Sequence, residues 1–242
     1  LSASGSFFAT GAMQTARSGH VAVLLPSNNQ VLISGGTSAA GAPLAELYAD
    51  WRDGFAPVAN QPTTARTGAI AGALKPYDLA FVAGGGSGTG EFYGYATVKT
   101  DKDDYQPGEI VTISGSGWQP GETVTLRVTE DADTHYDWNL SAVANEQGQI
   151  VNREFYPRQD EQFQHLGMRF YVMATGAASQ ALTTFTDGAL KIKSANGRNF
   201  DFTYQRFTDL NCTSGGGTIT TETADANRFK LNTPNGESWG II

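Results

Sequence analysis

Three histidines, one cysteine and two acidic runs hold most of the chemistry this 242-residue chain can offer. His20, His135 and His165 fall in three separate segments, with no H-x-H or H-x-x-x-H spacing. A zinc site needs three or four convergent ligands, so these residues are expected in turns and loops, His20 at a turn and the other two in loops. The run Asp131-Ala-Asp133-Thr-His-Tyr-Asp137 alternates its carboxylates. Alternate carboxylates can converge on Ca²⁺, a hard cation that takes oxygen ligands. Asp131, Asp133 and Asp137 are therefore the candidate metal ligands, and the ion would be structural. The competing reading is a solvated loop, because the glycine and the closing bidentate glutamate of an EF-hand are missing. Asp101, Asp103 and Asp104 form a second acidic run that could hold calcium at a junction between domains, against the same competing reading of a solvated segment.

Nucleophile and phosphate signals are weaker. Gly236-Glu-Ser-Trp-Gly240 fits G-x-S-x-G, but a nucleophile elbow needs a strand before it and a helix after it, and only two residues follow. Gly84-Gly-Gly-Ser-Gly-Thr-Gly90 is glycine-rich without a helix to supply an anion-binding N-terminus. No paired carboxylates sit in a setting suited to glycoside hydrolysis. No catalytic residue and no resident cofactor are assigned, and the chain is expected not to be an enzyme. Trp51, Trp118, Trp138, Trp239 and nine tyrosines either stack on sugars or fill cores. Cys212 is either a buried small hydrophobe or an exposed thiol able to link chains.

The elements that must position these residues are strands. Gly is abundant at 29 residues, charged residues make up only 17%, and no helical period is sustained over a dozen residues, which points to an all-β chain. The net charge of −8 comes without a basic cluster, so nucleic acid is not an expected partner. No apolar run approaches the ~20 residues of a membrane helix, and no membrane insertion is expected. The single cysteine rules out an intrachain disulfide. The sequence starts at Leu1 without a charged-then-apolar leader, as expected of a mature, processed or partial chain.

Residues 1–94 contain a repeat. Met13-Gln-Thr-Ala-Arg-Ser-Gly19 is echoed by Pro62-Thr-Thr-Ala-Arg-Thr-Gly68, and Val31-Leu-Ile-Ser-Gly-Gly36 by Leu79-Ala-Phe-Val-Ala-Gly-Gly85. The offset is about 49 residues, close to the ~50 of a kelch blade. The units T-A-R-S-G-H, V-L-I-S-G-G and A-E-L-Y resemble kelch repeats of bacterial secreted proteins. That resemblance implies β-blades in which the double glycine ends the second strand at a close backbone approach, with Arg17 and Arg66 at the blade turns. The second unit departs from the pattern: Ala69 stands where His20 is matched, and Glu91-Phe-Tyr-Gly-Tyr95 replaces the last strands. Under two blades are covered, whereas propellers close with about 4 to 8.

Residues 95–187 open on a duplicated signal. Tyr105-Gln-Pro-Gly-Glu109 precedes Ile110-Val-Thr-Ile113, and Trp118-Gln-Pro-Gly-Glu122 precedes Thr123-Val-Thr-Leu126. Each Pro-Gly suits a type II turn, and Val124, Leu126 and Val128 alternate with polar residues as in a half-buried strand. Strands are expected near 95–100, 110–115, 123–129, 137–144, 149–155, 168–175 and 181–187, with a hairpin turn at Asn145-Glu-Gln-Gly148. Seven short strands in about 90 residues suit an immunoglobulin-like sandwich. The segment resembles the Ig-like module that follows kelch repeats in large bacterial surface proteins. Residues 188–242 carry further strand-like runs, expected as a small β-domain or a partial Ig-like module.

The kelch-plus-Ig order is also similar to galactose-oxidase-type copper enzymes, whose copper is held by two Tyr and two His, one Tyr being joined to a Cys. No Tyr–His pair stands at a blade strand here, so the likeness does not carry the copper chemistry. The expected function is a non-catalytic extracellular structural or adhesive module at a bacterial cell surface. Its partners would be copies of itself or other surface proteins, reached through β-edges, with glycans as further ligands. The alternative is a carbohydrate-binding accessory region of a larger secreted kelch-type enzyme.

Overall fold

A computed structural model describes residues 7–39, 44–105, 108–130, 137–157 and 168–187, together with the backbone of five further strands towards the C-terminus. The chain is all-β: kelch-like blades, then an Ig-like sandwich, then a short C-terminal β-segment. Among the described residues no helix is long and apolar enough to cross a membrane.

Strands β1 (Ser18–Leu25), β2 (Gln30–Thr37), β3 (Ala45–Ala49) and β4 (Gly54–Pro57) form an antiparallel meander, blade 1. Strands β5 (Ala69–Leu74), β6 (Leu79–Gly84) and β7 (Gly90–Gly94) form a three-stranded meander, blade 2. The two blades share one register. His20 faces Gly35 and Ala22 faces Ile33 in blade 1, as Ala69 faces Gly84 and Ala71 faces Val82 in blade 2. The third strands match as well, because Ile33 faces Glu46 and Val82 faces Glu91. Glu91-Phe-Tyr93 therefore repeats Glu46-Leu-Tyr48, so the expected departure from the pattern is instead a repeated third strand reached through a shorter loop. His20 likewise sits within strand β1, not at a turn.

Directly opposed residues share a face of a sheet, so each blade has two faces. Val23, Leu25, Leu32 and Leu47 of blade 1 pack onto Ala71, Ala73, Ala80 and Tyr93 of blade 2 in one apolar cluster. At the inner rim the backbones touch: Gly36 N–H donates to Arg66 O at 2.6 Å, and Gly68 N–H donates to Gly19 O at 2.8 Å. Gly35 has φ +72, and a Cβ there would drive into the carbonyl of Arg66. The double glycine is thus required by the approach of the next blade.

The sandwich comprises β8 (Lys99–Thr100), β9 (Asp104–Tyr105), β10 (Val111–Gly115), β11 (Thr123–Glu130), β12 (Trp138–Val143), β13 (Ile150–Phe155), β14 (Arg169–Thr175) and β15 (Gln180–Asp187). One sheet runs β13-β10-β8 and the other β12-β11-β14-β15-β9. Val111, Ile113 and Phe155 of the first, with Val98 just before β8, meet Leu126, Phe170, Val172 and Phe185 of the second in a single core. The Pro120-Gly121 turn closes with Glu122 N–H donating to Gln119 O at 3.0 Å, and the Asn145–Gly148 turn with Gly148 N–H donating to Asn145 O at 2.9 Å.

Two local features differ from expectation. The strand expected over 95–100 is paired as a strand only at Lys99–Thr100. Residues 95–98 are buried, with Val98 N–H donating to Ser27 O of blade 1 at 2.8 Å. The chain then crosses to the other sheet, where β9 pairs in parallel with β15. Asn28, at the tip of the β1–β2 turn and 1% exposed, bridges blade 1 to the sandwich by donating to Ala96 O at 2.6 Å and Gln180 O at 2.9 Å. Beyond the sandwich, β16 (Lys191–Ile192) pairs with β19 (Phe229–Lys230), and β17 (Phe200–Phe207) lies between β18 (Ile219–Ala224) and β20 (Ser238–Ile241).

Candidate contact surface

The polar residues of the blades form two equivalent clips. In blade 1, Arg17 donates to Gly35 O at 2.9 Å, to Leu44 O at 3.2 Å and to Glu46 Oε1 at 2.6 Å, with both side chains fully buried. Glu46 Oε2 also accepts the Gln14 N–H at 2.9 Å. In blade 2, Arg66 donates to Gly84 O at 2.9 Å and to Thr89 O at 2.6 Å, and meets Glu91 at 3.4 Å. Glu91 Oε1 accepts the Thr63 N–H and hydroxyl, both at 2.7 Å. The Thr63 hydroxyl above all, helped by the Thr63 N–H and the Arg66 charge, holds the Glu91 carboxyl below its usual value. Each clip pins the segment entering a blade onto that blade's third strand. Residue-type patterns singled out the arginines but not Glu46 and Glu91 as their partners, although the recurring x-E-[LF]-Y was present to find them.

The acidic candidates are drawn into the fold. Asp137 accepts from Arg127 Nε at 2.8 Å in an ion pair; Asp131, Asp133 and His135 lie outside the described residues, as do His165 and Cys212. Asp101 accepts the Tyr105 hydroxyl at 2.6 Å and the Thr112 N–H at 2.9 Å, which hold its carboxyl below the usual range. Asp104 accepts the Thr186 hydroxyl at 2.5 Å, and Asp103 offers its backbone carbonyl to the Thr186 N–H at 3.0 Å. The Asp103 and Asp104 bonds tie the start of the sandwich to β15, and the Asp101 bond to Thr112 ties it to β10. Among the described residues no three His, Cys, Asp or Glu side chains come together as a metal-ligand group.

The aromatics divide clearly. Trp118 is buried and donates to Thr97 O at 3.1 Å, and Trp138 packs edge-on against Phe155. Tyr93 and Tyr95 stack in the apolar cluster shared by the two blades, 6.5 Å apart, and burial pushes the Tyr93 hydroxyl up to about 12. Among the exposed apolar residues, Ile70, Leu74 and Phe92 share the outer face of blade 2. Leu74 is 37% exposed and Phe92 64%, and Ile70 shares the face. Phe81 leans against Phe92 with ring centroids 5.0 Å apart. The corresponding residues of blade 1, Leu25 at 1% and Leu32 at 2%, are covered by blade 2.

No family model matches this chain, and no curated protein matches it. Among solved structures, the chain is similar to a fungal alcohol oxidase of the AA5 family in complex with copper, at 13% identity and a TM-score of 0.28, over 74% of this chain and 44% of that one. It is similar also to a tetra-tandem repeat from the extending region of a large adhesion protein, at 12% identity and a TM-score of 0.30, over 89% of this chain and 65% of that one. The chain thus spans less than two thirds of either structure.

Proposed function

We propose that this chain is a non-catalytic structural and adhesive module of an extracellular, bacterial-type surface protein, acting through protein contact. The observation that carries the reading is the open apolar face of blade 2, where Leu74 and Phe92 stand exposed on a strand framework whose polar clips are turned inward. Contiguous exposed apolar area on a folded domain marks a place of association. The partners are other copies of the chain or other surface proteins, and no cofactor takes part.

The competing enzymatic reading, a copper oxidase, is tested directly. The purified chain is incubated with Cu²⁺, dialysed, analysed for metal and assayed for peroxide release from galactose and simple primary alcohols. No stoichiometric copper and no turnover are expected. Copper-dependent peroxide formation would overturn the proposal.

A further inference from the structure

We infer that the open face of blade 2 is the docking surface for blade 1 of a second copy of this chain, so that copies associate head to tail as the two blades do within one chain. The inference rests on the contact-module reading and names its partner. Inside the chain, the face of blade 1 carrying Val23, Leu25 and Leu32 receives the face of blade 2 carrying Ala71, Ala73 and Ala80. The shared register makes Gly72, Leu74 and Phe81 the counterparts of the first set, and Ala22, Leu24 and Val31 the counterparts of the second. Both counterpart faces are presented outward: Leu24 is 61% exposed and Leu74 37%. One chain therefore carries both halves of an interface that it already uses once internally.

The rim repeats the relation. A Cβ at Gly35 would strike Arg66 of the following blade, whereas a Cβ at Gly84, with almost the same φ of +73, would meet nothing within 4 Å. Gly84 and Gly85 mark the place where the backbone of the next arginine, Arg17 of a second copy, would lie. Such an interface is heterologous: it closes into a ring if the rotation allows and otherwise continues as an open filament. Propellers close with about 4 to 8 blades, so two blades per chain allow rings of about two to four chains.

The test is the mass of the full chain in solution, by light scattering and sedimentation over a wide concentration range, for the wild type, Phe92→Asp and Leu24→Asp. Both side chains are more than 60% exposed, at 64% and 61%, so thermal melts matching the wild type should confirm that the variants fold. The wild type is expected to rise above its 25.7 kDa monomer mass with concentration. Each variant should associate at least tenfold more weakly. Because each spoils only one of the two faces, an equimolar mixture should recover a two-chain complex, which a two-fold symmetric interface would not allow. A wild type that stays at monomer mass, association untouched by both substitutions, or a mixture without recovery would each overturn the inference. A monomer that still binds another surface protein overturns only the second-copy partner, while copper turnover overturns the reading beneath it.

Discussion

The two arginine–glutamate clips invite the same substitution in two settings. Glu46→Ala removes the counter-charge from Arg17 where both side chains are fully buried. An uncompensated buried charge costs about 3–5 kcal/mol. Glu91→Ala acts where the carboxylate is 25% exposed and the ion contact is a longer 3.4 Å. Arg66 there keeps the Gly84 and Thr89 carbonyls and the Thr89 hydroxyl. That loss is expected at about 1–2 kcal/mol, the range of a partly solvated charged hydrogen bond. At about 2–4 °C per kcal/mol for a chain of this size, Glu46→Ala should lower Tm by about 6–20 °C and Glu91→Ala by about 2–8 °C. Thermal melts by circular dichroism, with hydrogen exchange on the blade amides to localise the loss, provide the assay. Replacing Arg17 and Glu46 together by methionine should cost less than Glu46→Ala alone, because no charge is then stranded. A Glu46→Ala loss no greater than that of Glu91→Ala would refute the assignment of the first clip as the buried anchor of its blade.

Two further outcomes follow from local geometry. Tyr105→Phe removes the hydroxyl that, more than any other group, depresses the Asp101 carboxyl. A depressed carboxyl contributes stability above its ordinary value of 3.8 and loses it as pH falls through the lower folded value. The variant should therefore be less stable than the wild type at neutral pH, by about 1 kcal/mol given that Asp101 faces solvent, and the gap should close in acid; a gap independent of pH from 7 to 2 would contradict the role given to that bond. Gly35→Ala and Gly84→Ala form a second comparison. Both force a Cβ into the left-handed region at about 1–2 kcal/mol, but within one chain only Gly35→Ala also pushes apart two blades, so urea denaturation of the dilute monomer should show it clearly the more destabilising; equal losses would mean that the rim contact is slack.

The sandwich was legible because its signals are local. Pro120-Gly121 and Asn145–Gly148 turn where their residue types require, and Val124, Leu126 and Val128 alternate inward as written. The crossing between sheets at residues 101–105 was not legible. It depends on a two-residue parallel pairing with β15, some eighty positions away, and on Asp101 and Asp104 finding Tyr105, Thr112 and Thr186. The repeat was visible at its arginines and double glycines but lost at its third strand, because the loop before β7 is shorter than that before β3. The offset falls from about 49 to about 45 there, and matching at one fixed period slides Glu46 away from Glu91.

The match of Glu91 with Glu46 ties the blades together more than any of the histidines or the acidic runs do. Once Glu91 is aligned with Glu46, the two blades become copies in register, clip and rim, and each must then have a donor face and an acceptor face. In blade 1 the acceptor face is covered by blade 2, with Leu25 and Leu32 nearly inaccessible; in blade 2 the same face lies open. Adding one clip and one apolar face per blade makes the unit extensible, since every blade presents the surface that the next one needs. In both blades the clip charges hold the entering segment to the third strand, and on blade 2 the exposed apolar residues Ile70, Leu74 and Phe92 share the opposite face. An unpaired copy of that face is what the proposed head-to-tail contact between chains would cover.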